Sequence, residues 1–365
     1  MARLGDVVNI RTGKLDANAA SSNGKYPFFT CSKDTLRIDT YRYDCECVLV
    51  AGNGDLNVKY YNGKFDAYQR TYIIESKNKN DLYVPYLYYY LDNYVEILRQ
   101  ESIGGVIKYI KLSNLTEAII PLPLLAEQRR IAAILDKVTS LIDLRKQQLA
   151  KLDELVKARF VEMFGDPGTD IYKWGMVSLG SICNVNPKKS CDSRLYSDTK
   201  ISFVPMTAVT ETGEIDVSIV KEYDEVKTGF TCFAENDVLF AKITPCMENG
   251  KGAIAKGLCN GVGFGSTEFH VLRPLGSKSN PYWLYVLTTF PKFRIDAVSH
   301  MTGSAGQRRV PSSFLMNYLV SVPPIALQKK FAAFVEEVNK FKLTVRQNLD
   351  ILEVVKESLM QECFR

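Results

Sequence analysis

Apolar residues recur every seven positions in two long stretches of the chain, one near its middle and one at its C-terminal end. The repeat occupies Leu135, Ile142, Leu149, Val156 and Met163 in the first stretch, and Phe331, Val338, Val345, Leu352 and Leu359 in the second. This spacing is typical of helices that pack along their length as a coiled coil. Neither stretch contains glycine or proline, and Gly165 ends the first. The pattern predicts two helices of about 40 residues, each roughly 60 Å long.

The two stretches are copies of one another. When the sequence is shifted by 200 positions, Pro123 falls on Pro323 and Gln128 falls on Gln328, and no gap is needed along the stretch. The only stripe in the chain equivalent to one of these apolar stripes is the other copy, so we expect the helices to pack antiparallel against each other. The segments before them would then lie at opposite ends, around an approximate two-fold axis. Flanking apolar residues are expected to widen the buried stripes; they are Ile134, Leu141, Leu155, Phe334, Phe341 and Val355.

The segments that precede the two helices follow one plan. Each opens with Leu-Gly, at Leu4 and Leu179, and continues with strand-like runs bounded by loops rich in glycine and asparagine. A short helix is expected over 85–98 and again over 281–297. The predicted fold class is α+β: two mixed α/β domains joined by two long helices that form an antiparallel coiled coil with pseudo-two-fold symmetry. The expected boundaries are 1–121 for the first domain, 122–166 for the first long helix, 167–322 for the second domain and 323–365 for the second long helix.

Composition narrows the class of protein. The 365 residues are 46% hydrophobic and carry a formal net charge of +5, which permits a polyanionic partner without requiring one. Nine cysteines at irregular spacings and two histidines form no zinc motif, so we expect free thiols and no metal site. The N-terminus lacks the apolar core of a signal peptide, and no apolar run is long enough to cross a membrane. A soluble, cytoplasmic protein is expected.

The loops of both domains combine glycine with residues that can read the edges of DNA bases. Arginine and lysine bind guanine, asparagine and glutamine bind adenine, and backbone amides in glycine-rich turns can contact phosphates. Any one of these residues is more often an ordinary solvated loop residue, but the sets recur at corresponding places in the two halves. The predicted DNA-binding residues of the first domain are Asn53, Asn57, Lys59, Gln69, Arg70 and Lys108. Those of the second are Lys242, Thr244, Asn249, Lys251, Ser266, Thr267, Gln307, Arg308 and Arg309.

Several motifs of catalytic or nucleotide-binding proteins are missing from the sequence. The glycine-rich run at 261–265 leads into a strand pattern, whereas a nucleotide-binding loop leads into a helix. Pro323 and Pro324 follow Val322, so they do not form the Asn- or Asp-Pro-Pro-aromatic motif with which an adenine methyltransferase holds its flipped base. No P-loop is found, and His270 lies in a predicted strand, where a structural role is expected. No catalytic residue and no cofactor are predicted.

With the duplicated helices and the loops considered together, the chain resembles the specificity subunit of type I restriction–modification enzymes over nearly its whole length. The segments that carry the resemblance are 122–132 and 322–330 at the start of the two helices, and 238–243, 248–251, 265–269 and 301–308 in the second domain. Together, in this order and around a duplicated helix, they are more specific than any one of them alone.

The resemblance implies that each domain is a target recognition domain that reads one half of a split site in double-stranded DNA, while the helix pair sets the distance between them. It also implies that methyltransferase subunits, two of them expected, and restriction subunits dock on the chain, and that the chain does no chemistry itself. Two other hypotheses remain. One is a protein-binding coiled-coil scaffold without DNA specificity, and the other is a self-sufficient methyltransferase.

Overall fold

A computed structural model describes residues 1–167, 174–187, 195–304 and 306–365. Ala305, in one of the segments that carry the resemblance, lies outside the described residues. The chain forms two compact units. Unit 1 comprises Met1–Lys146 and Arg346–Arg365, and unit 2 comprises Gln147–Val345. Part of each long helix therefore belongs to each unit.

Strands and short helices occupy both halves of the chain, and a helix of 40 residues ends each half. The first half contains β1 (Ala2–Arg3), α1 (Leu4–Val7), β2 (Val8–Thr12), β3 (Tyr26–Phe29), β4 (Leu36–Ile38), β5 (Tyr43–Ala51), β6 (Val58–Ala67), β7 (Thr71–Ser76), α2 (Val84–Glu101), α3 (Leu112–Thr116), β8 (Ile119–Ile120) and α4 (Leu125–Phe164). The second half contains β9 (Met176–Ser178), β10 (Cys183–Val185), β11 (Lys200–Val204), β12 (Val220–Glu222), α5 (Tyr223–Val226), β13 (Thr231–Ala234), β14 (Val238–Ala241), β15 (Gly252–Ile254), β16 (Val262–Gly265), β17 (Phe269–Pro274), α6 (Pro281–Thr289), α7 (Pro291–Ser299), α8 (Ser312–Asn317), β18 (Leu319–Ser321) and α9 (Ile325–Phe364).

Unit 1 is built on a six-stranded sheet in the order β2-β7-β5-β6-β3-β4. Neighbouring strands are antiparallel except β3 and β6, which are parallel. The helix α2 covers the sheet with an apolar face whose buried residues include Tyr86, Leu87 and Leu91. The short pair β1–β8 ties the first residues of the chain to those just before α4. The sheet is therefore anchored close to the start of the long helix.

Unit 2 repeats this plan, and its strands β10-β17-β14-β15 lie in the same order as β2-β7-β5-β6. The strands β13 and β14 together take the place of β5, and they are separated by a turn in which Asn236 has a left-handed φ of 68°. The strands β11 and β16 pair in parallel, as β3 and β6 do. The single helix predicted over 281–297 is two helices, α6 and α7, because Pro291 cannot donate the hydrogen bond that would continue α6.

A buried glutamine fixes the start of each long helix. The Gln128 side chain accepts a hydrogen bond from the backbone N–H of Tyr83 (2.9 Å) and donates to the carbonyls of Asp81 (2.7 Å) and Pro123 (2.9 Å). Gln328 makes the same three bonds to the equivalent backbone groups of unit 2. Both side chains are fully buried, and an amide without partners there would be costly. The glutamine of the repeated motif thus holds the helix start against the segment that precedes α2 or α6.

In unit 1 the N-terminal part of α4 packs antiparallel against the C-terminal part of α9. Leu135 of α4 and Met360 of α9 are buried in the same apolar cluster, together with residues of α2 and the sheet. Phe364, near the end of α9, packs on the rim of this cluster. Further along α4, Lys146 pairs with Glu353 at 2.9 Å. The end of the second helix therefore completes the core of the first domain.

In unit 2 the C-terminal part of α4 packs antiparallel against the N-terminal part of α9. Lys342, which is almost fully buried, forms an ion pair with Asp153. Phe160 and Phe164, at the end of α4, contact Phe331 with ring centroids 5.5 and 5.4 Å apart. The mutual packing of the duplicated stripes, on which the predicted architecture depends, is confirmed within each unit.

The prediction that flanking residues widen the buried stripes is wrong at four of the six positions. The exposed fractions are 43% for Leu141, 46% for Leu155, 66% for Phe341 and 40% for Val355. A pair of helices buries only the seam along which they touch, and that seam is narrower than the apolar stripe of a helix packed on a globular core. Apolar side chains therefore remain exposed on both long helices.

The structure also bears on two other predictions, that the cysteines are free thiols and that no segment crosses a membrane. Seven of the described cysteines are free thiols, but Cys232 is in a disulfide, so the expectation of free thiols throughout is wrong there. In the described parts of the chain, no helix combines the length and the apolar character that a membrane crossing requires.

Candidate nucleic-acid interface

Three backbone segments of unit 2 meet beyond the end of β14, and we call them the three-segment surface of unit 2: residues 241–244, 266–268 and 306–310. The N–H of Lys242 donates to the carbonyl of Glu268 (2.9 Å), and the N–H of Val310 donates to the carbonyl of Lys242 (2.9 Å). The N–H of Thr244 donates to the carbonyl of Arg308 (3.0 Å). The segment after β14, residues 241–244, thus lies between residues 266–268 on one side and residues 306–310 on the other.

Unit 1 builds the same arrangement from residues 51–54, 68–70 and 108–110, the three-segment surface of unit 1. The N–H of Gly52 donates to the carbonyl of Arg70 (2.8 Å), and the N–H of Ile110 donates to the carbonyl of Gly52 (3.0 Å). The N–H of Gly54 donates to the carbonyl of Lys108 (2.9 Å). Bond for bond, these contacts match those of unit 2, so the two backbones can be compared residue by residue.

The matched hydrogen bonds show that the two surfaces have equivalent backbone arrangements but carry different side chains. The corresponding pairs, with the unit 1 residue first, are Gly52 and Lys242, Asn53 and Ile243, Gly54 and Thr244, Gln69 and Thr267, Arg70 and Glu268, Lys108 and Arg308, and Tyr109 and Arg309. Polar or charged residues occupy most of these places in both units. A shared scaffold with different side chains is what two readers of different DNA sequences require.

In unit 1 the six predicted DNA-binding residues fall into two groups. Asn53, Gln69, Arg70 and Lys108 lie on the three-segment surface, and all of them except Asn53, which is half-buried, are exposed. Asn57 and Lys59 lie just after it, and their side chains bind backbone instead of pointing freely outward. The Asn57 amide donates to the carbonyls of Cys31 and Asp55, both at 2.9 Å, and the Lys59 ammonium donates to the carbonyl of Ser32. Burial lowers the pKa of Lys59. These two side chains hold neighbouring loops in place.

In unit 2 seven of the nine predicted residues lie on the three-segment surface: Lys242, Thr244, Ser266, Thr267, Gln307, Arg308 and Arg309. The other two, Asn249 and Lys251, lie on the loop between β14 and β15. Thr244 is locked in place, because its hydroxyl donates to the carbonyl of Gly306 (3.1 Å) and accepts from the N–H of Arg308 (3.2 Å). Lys251 reaches the carbonyl of Met206 at 3.3 Å. The fold thus brings most of the predicted DNA-binding residues of unit 2 together on its three-segment surface.

The two arginines of the three-segment surface of unit 2 are each paired with an acidic side chain. Arg309 binds Glu268 side-on, with Nε 2.9 Å from Oε2 and Nη2 2.8 Å from Oε1. Arg308 makes a single contact of 3.2 Å with Glu248. The hydrogen bonds from Arg309 lower the pKa of Glu268, and those to Glu268 raise the pKa of Arg309, so both stay charged at neutral pH. The surface therefore presents oriented charges and is not uniformly basic.

A buried arginine that the sequence did not indicate supports this surface from behind. Arg294 of α7 is 8% exposed and donates to the carbonyls of Met247 (2.9 Å), Gly250 (3.2 Å) and Thr288 (2.6 Å). Its guanidinium also lies over the ring of Phe240, 4.8 Å from the centroid. Burial lowers the pKa of Arg294 to about 10, which leaves it protonated at neutral pH. Arg294 thus anchors the loop that carries Thr244, Asn249 and Lys251.

A histidine in unit 2 and a tyrosine in unit 1 occupy the same structural place. The Tyr72 hydroxyl donates to the carbonyl of Ile110 (3.3 Å), and Nε2 of His270 donates to the carbonyl of Val310 (2.7 Å). Nδ1 of His270 faces the amide nitrogen of Asn186 at 2.9 Å, and the amide oxygen of Asn186 accepts from a backbone N–H. His270 must therefore be neutral, with its proton on Nε2. The contacts are those of a structural residue.

We expect unit 2 to lose stability as the pH falls from 7 to 5.5. Burial lowers the pKa of His270 in the folded protein, so the unfolded chain takes up a proton near pH 6.5 before the folded one does. The free energy of unfolding then falls with pH in the interval below 6.5. Both tryptophans, Trp174 and Trp283, lie in unit 2, so urea unfolding followed by tryptophan fluorescence reports on this unit.

His270→Gln is the matched variant for this measurement, because glutamine can keep the bond to Val310 but does not titrate. Its free energy of unfolding should fall less than that of the wild type over the same pH range. Equal slopes for the two proteins would show that His270 is not the group responsible.

Within the described residues, no group of three or more histidine, cysteine, aspartate or glutamate side chains is placed to hold a metal ion. The polar side chains of the three-segment surfaces are suited to hydrogen bonding with a ligand.

Comparison with known proteins follows the same division into two halves. A family model described as the type I restriction modification DNA specificity domain matches residues 1–154 and 172–354. The specificity subunit of the type I restriction enzyme EcoEI from Escherichia coli is 44% identical over 153 residues, which are 41% of this chain and 25% of that protein. The EcoDI specificity subunit, also from Escherichia coli, is 38% identical over 154 residues, 42% of this chain and 34% of that protein. The matched part thus spans between a quarter and about a third of the length of these relatives.

A solved structure shares the fold. The crystal structure of a type I restriction–modification S subunit from M. genitalium aligns with a TM-score of 0.61 and 18% sequence identity, covering 100% of this chain and 95% of the other. The family model covers both halves of the chain, including the two three-segment surfaces and most of both long helices. This chain belongs to the family of type I restriction modification DNA specificity domains.

Proposed function

We propose that the chain is the DNA-reading subunit of a type I restriction–modification complex in the cytoplasm, and that it does no chemistry itself. Residues 1–121 and 167–322 act as target recognition domains, each reading one half of a split site in double-stranded DNA. The segments 122–166 and 323–365 act as the spacer between them. The base and phosphate contacts come from the predicted loop residues, foremost those on the two three-segment surfaces.

One observation carries this proposal: two copies of the same hydrogen-bonded backbone present different polar side chains. If these backbones had only a structural role, nothing would require their side chains to differ between the units. Yet Gln69 and Arg70 of unit 1 correspond to Thr267 and Glu268 of unit 2. Sequence readers differ at such positions, because base edges are distinguished by the pattern of donors and acceptors. Exposed Arg70 and Lys108 supply charge for phosphates.

The exposed apolar residues of the long helices support docking of partner subunits, two methyltransferase subunits and, for cleavage, restriction subunits. Leu141 and Phe341 occupy equivalent positions of the two copies, as do Leu155 and Val355, and all four are exposed. Exposed apolar side chains at repeated positions are typical of surfaces that partners cover. Two equivalent surfaces fit two copies of one partner.

The proposal is tested by binding and by methylation. The chain, assembled with its partner methyltransferase, should shift duplex DNA in a gel with an affinity that falls steeply with salt and favours one sequence. Sequencing of methylated bases should give a motif of two different half-sites separated by a fixed gap. Binding that is indifferent to salt and to sequence would instead support a protein-binding coiled-coil scaffold. Methyl transfer by the purified chain alone would support a self-sufficient methyltransferase.

A further inference from the structure

The two three-segment surfaces differ in charge at two neighbouring matched positions. Unit 1 has Arg70 and Tyr109 where unit 2 has Glu268 and Arg309. In unit 2 the two side chains form a side-on, bidentate pair with distances of 2.8 and 2.9 Å. A pair of this geometry fixes the plane of the guanidinium as well as its position. Arg309 is therefore held in one orientation before any ligand arrives.

The pair leaves part of the guanidinium free. Arginine has five N–H donors in a planar fork. Nε and Nη2 of Arg309 donate to Glu268, and Nη1 donates to the carbonyl of Gln307 at 3.2 Å. One N–H on each terminal nitrogen remains, and the side chain is 40% exposed. O6 and N7 of guanine accept two such bonds from one arginine in the major groove.

Glu268 also makes this arginine a poor phosphate ligand. Its carboxylate neutralises the charge of Arg309 and repels a phosphate that approaches the same place. Lys242 is a further cation close to Glu268. A neutral base edge meets no such repulsion. The arrangement therefore favours reading of a base over non-specific contact with the DNA backbone.

We propose that Glu268 is a specificity-determining positioning residue, which holds Arg309 so that its free edge reads one guanine in the half-site of unit 2. This inference rests on the proposed function. Loss of a residue that simply contacts DNA would lower both selectivity and affinity. Loss of the Glu268 charge should instead lower selectivity at one base pair and raise affinity for DNA of any sequence.

The test uses the full chain with its partner methyltransferase, and its readout is the motif obtained by sequencing methylated bases. Glu268→Gln should make one guanine of the unit 2 half-site degenerate, with discrimination there reduced about tenfold or more. The unit 1 half-site should stay strict and serves as an internal control. Affinity for a random duplex in a gel shift should rise by about threefold, because one repelling charge is removed. Arg309→Lys, which keeps the charge and loses the fork, should relax the same guanine.

Glu248→Gln is the matched control. This substitution removes the same charge from the neighbouring loop between β14 and β15, where Glu248 pairs with Arg308 and not with Arg309. Affinity for random DNA should therefore rise while that guanine stays strict. The inference is overturned if Arg309→Lys leaves every position strict, if the two variants relax different positions, or if the relaxed pair contains no guanine. If Glu268→Gln does not fold, Arg309→Lys decides alone. A wild-type chain that yields no bipartite motif would instead overturn the proposed function.

Discussion

Removal of seven residues from the middle of each long helix, 144–150 of α4 and 345–351 of α9, is expected to shorten the gap between the two half-sites by about three base pairs. A heptad of helix is about 10 Å long, and duplex DNA rises 3.4 Å per base pair. Because the repeat is seven residues, the apolar stripe of each helix stays on the same face after the deletion. Sequencing of methylated bases, with the partner methyltransferase present, measures the gap directly.

The reason for deleting from both helices lies in their antiparallel packing. The contacts run in opposite directions along the two helices, from Leu135 with Met360 in unit 1 to Asp153 with Lys342 in unit 2. Matched deletions keep these partners in register, whereas a deletion from one helix would displace them. Replacement of 144–150 by the sequence of 344–350 keeps the length and is the control, for which no change of gap is expected. An unchanged gap in the deleted protein would contradict the role of the helices as a spacer.

The fold could be predicted largely from the sequence because its main signals are periodic and duplicated. The heptad repeat and the 200-residue shift predict two long helices, and the structure has them at Leu125–Phe164 and Ile325–Phe364. Strand-like apolar runs were predicted in both domains, and the apolar residues 238–241 form the strand β14. Such patterns are properties of the local chain, where each residue's place relative to the helix or strand axis follows from its number.

Contacts that join distant parts of the chain could not be predicted in this way. Glu268 and Arg309 are separated by 41 positions and Arg294 and Met247 by 47, and nothing in their local sequence indicates that they meet. The sequence therefore predicted Arg308 and Arg309 as DNA-binding residues, but it did not indicate that Glu248 and Glu268 pair with them. It also predicted wider helix stripes, because spacing alone does not tell how many neighbours a helix has.

We expect Arg294→Met to lower both the stability of unit 2 and its recognition of DNA. The change keeps a long apolar stem but removes the donors to three backbone carbonyls, those of Met247, Gly250 and Thr288. The cost should be about 3 kcal/mol of unfolding free energy. Urea unfolding followed by tryptophan fluorescence measures this loss, since both tryptophans belong to unit 2.

Recognition should suffer even at temperatures where the variant is folded, because the loop between β14 and β15 loses its anchor while its own side chains remain. Methylation of the wild-type sites should fall at least about tenfold, as a displacement of about 1 Å in a positioned group can cost far more than that.

Lys292→Met on the same helix removes only an exposed ion pair with Asp296 and should leave stability and methylation unchanged within error. Arg294→Lys should fall between the two, because a single ammonium cannot serve three carbonyls as the guanidinium does. If Arg294→Met lowered stability but left methylation and the motif intact, the buried arginine would matter only to the fold, and the loop it holds would not contribute to reading the half-site.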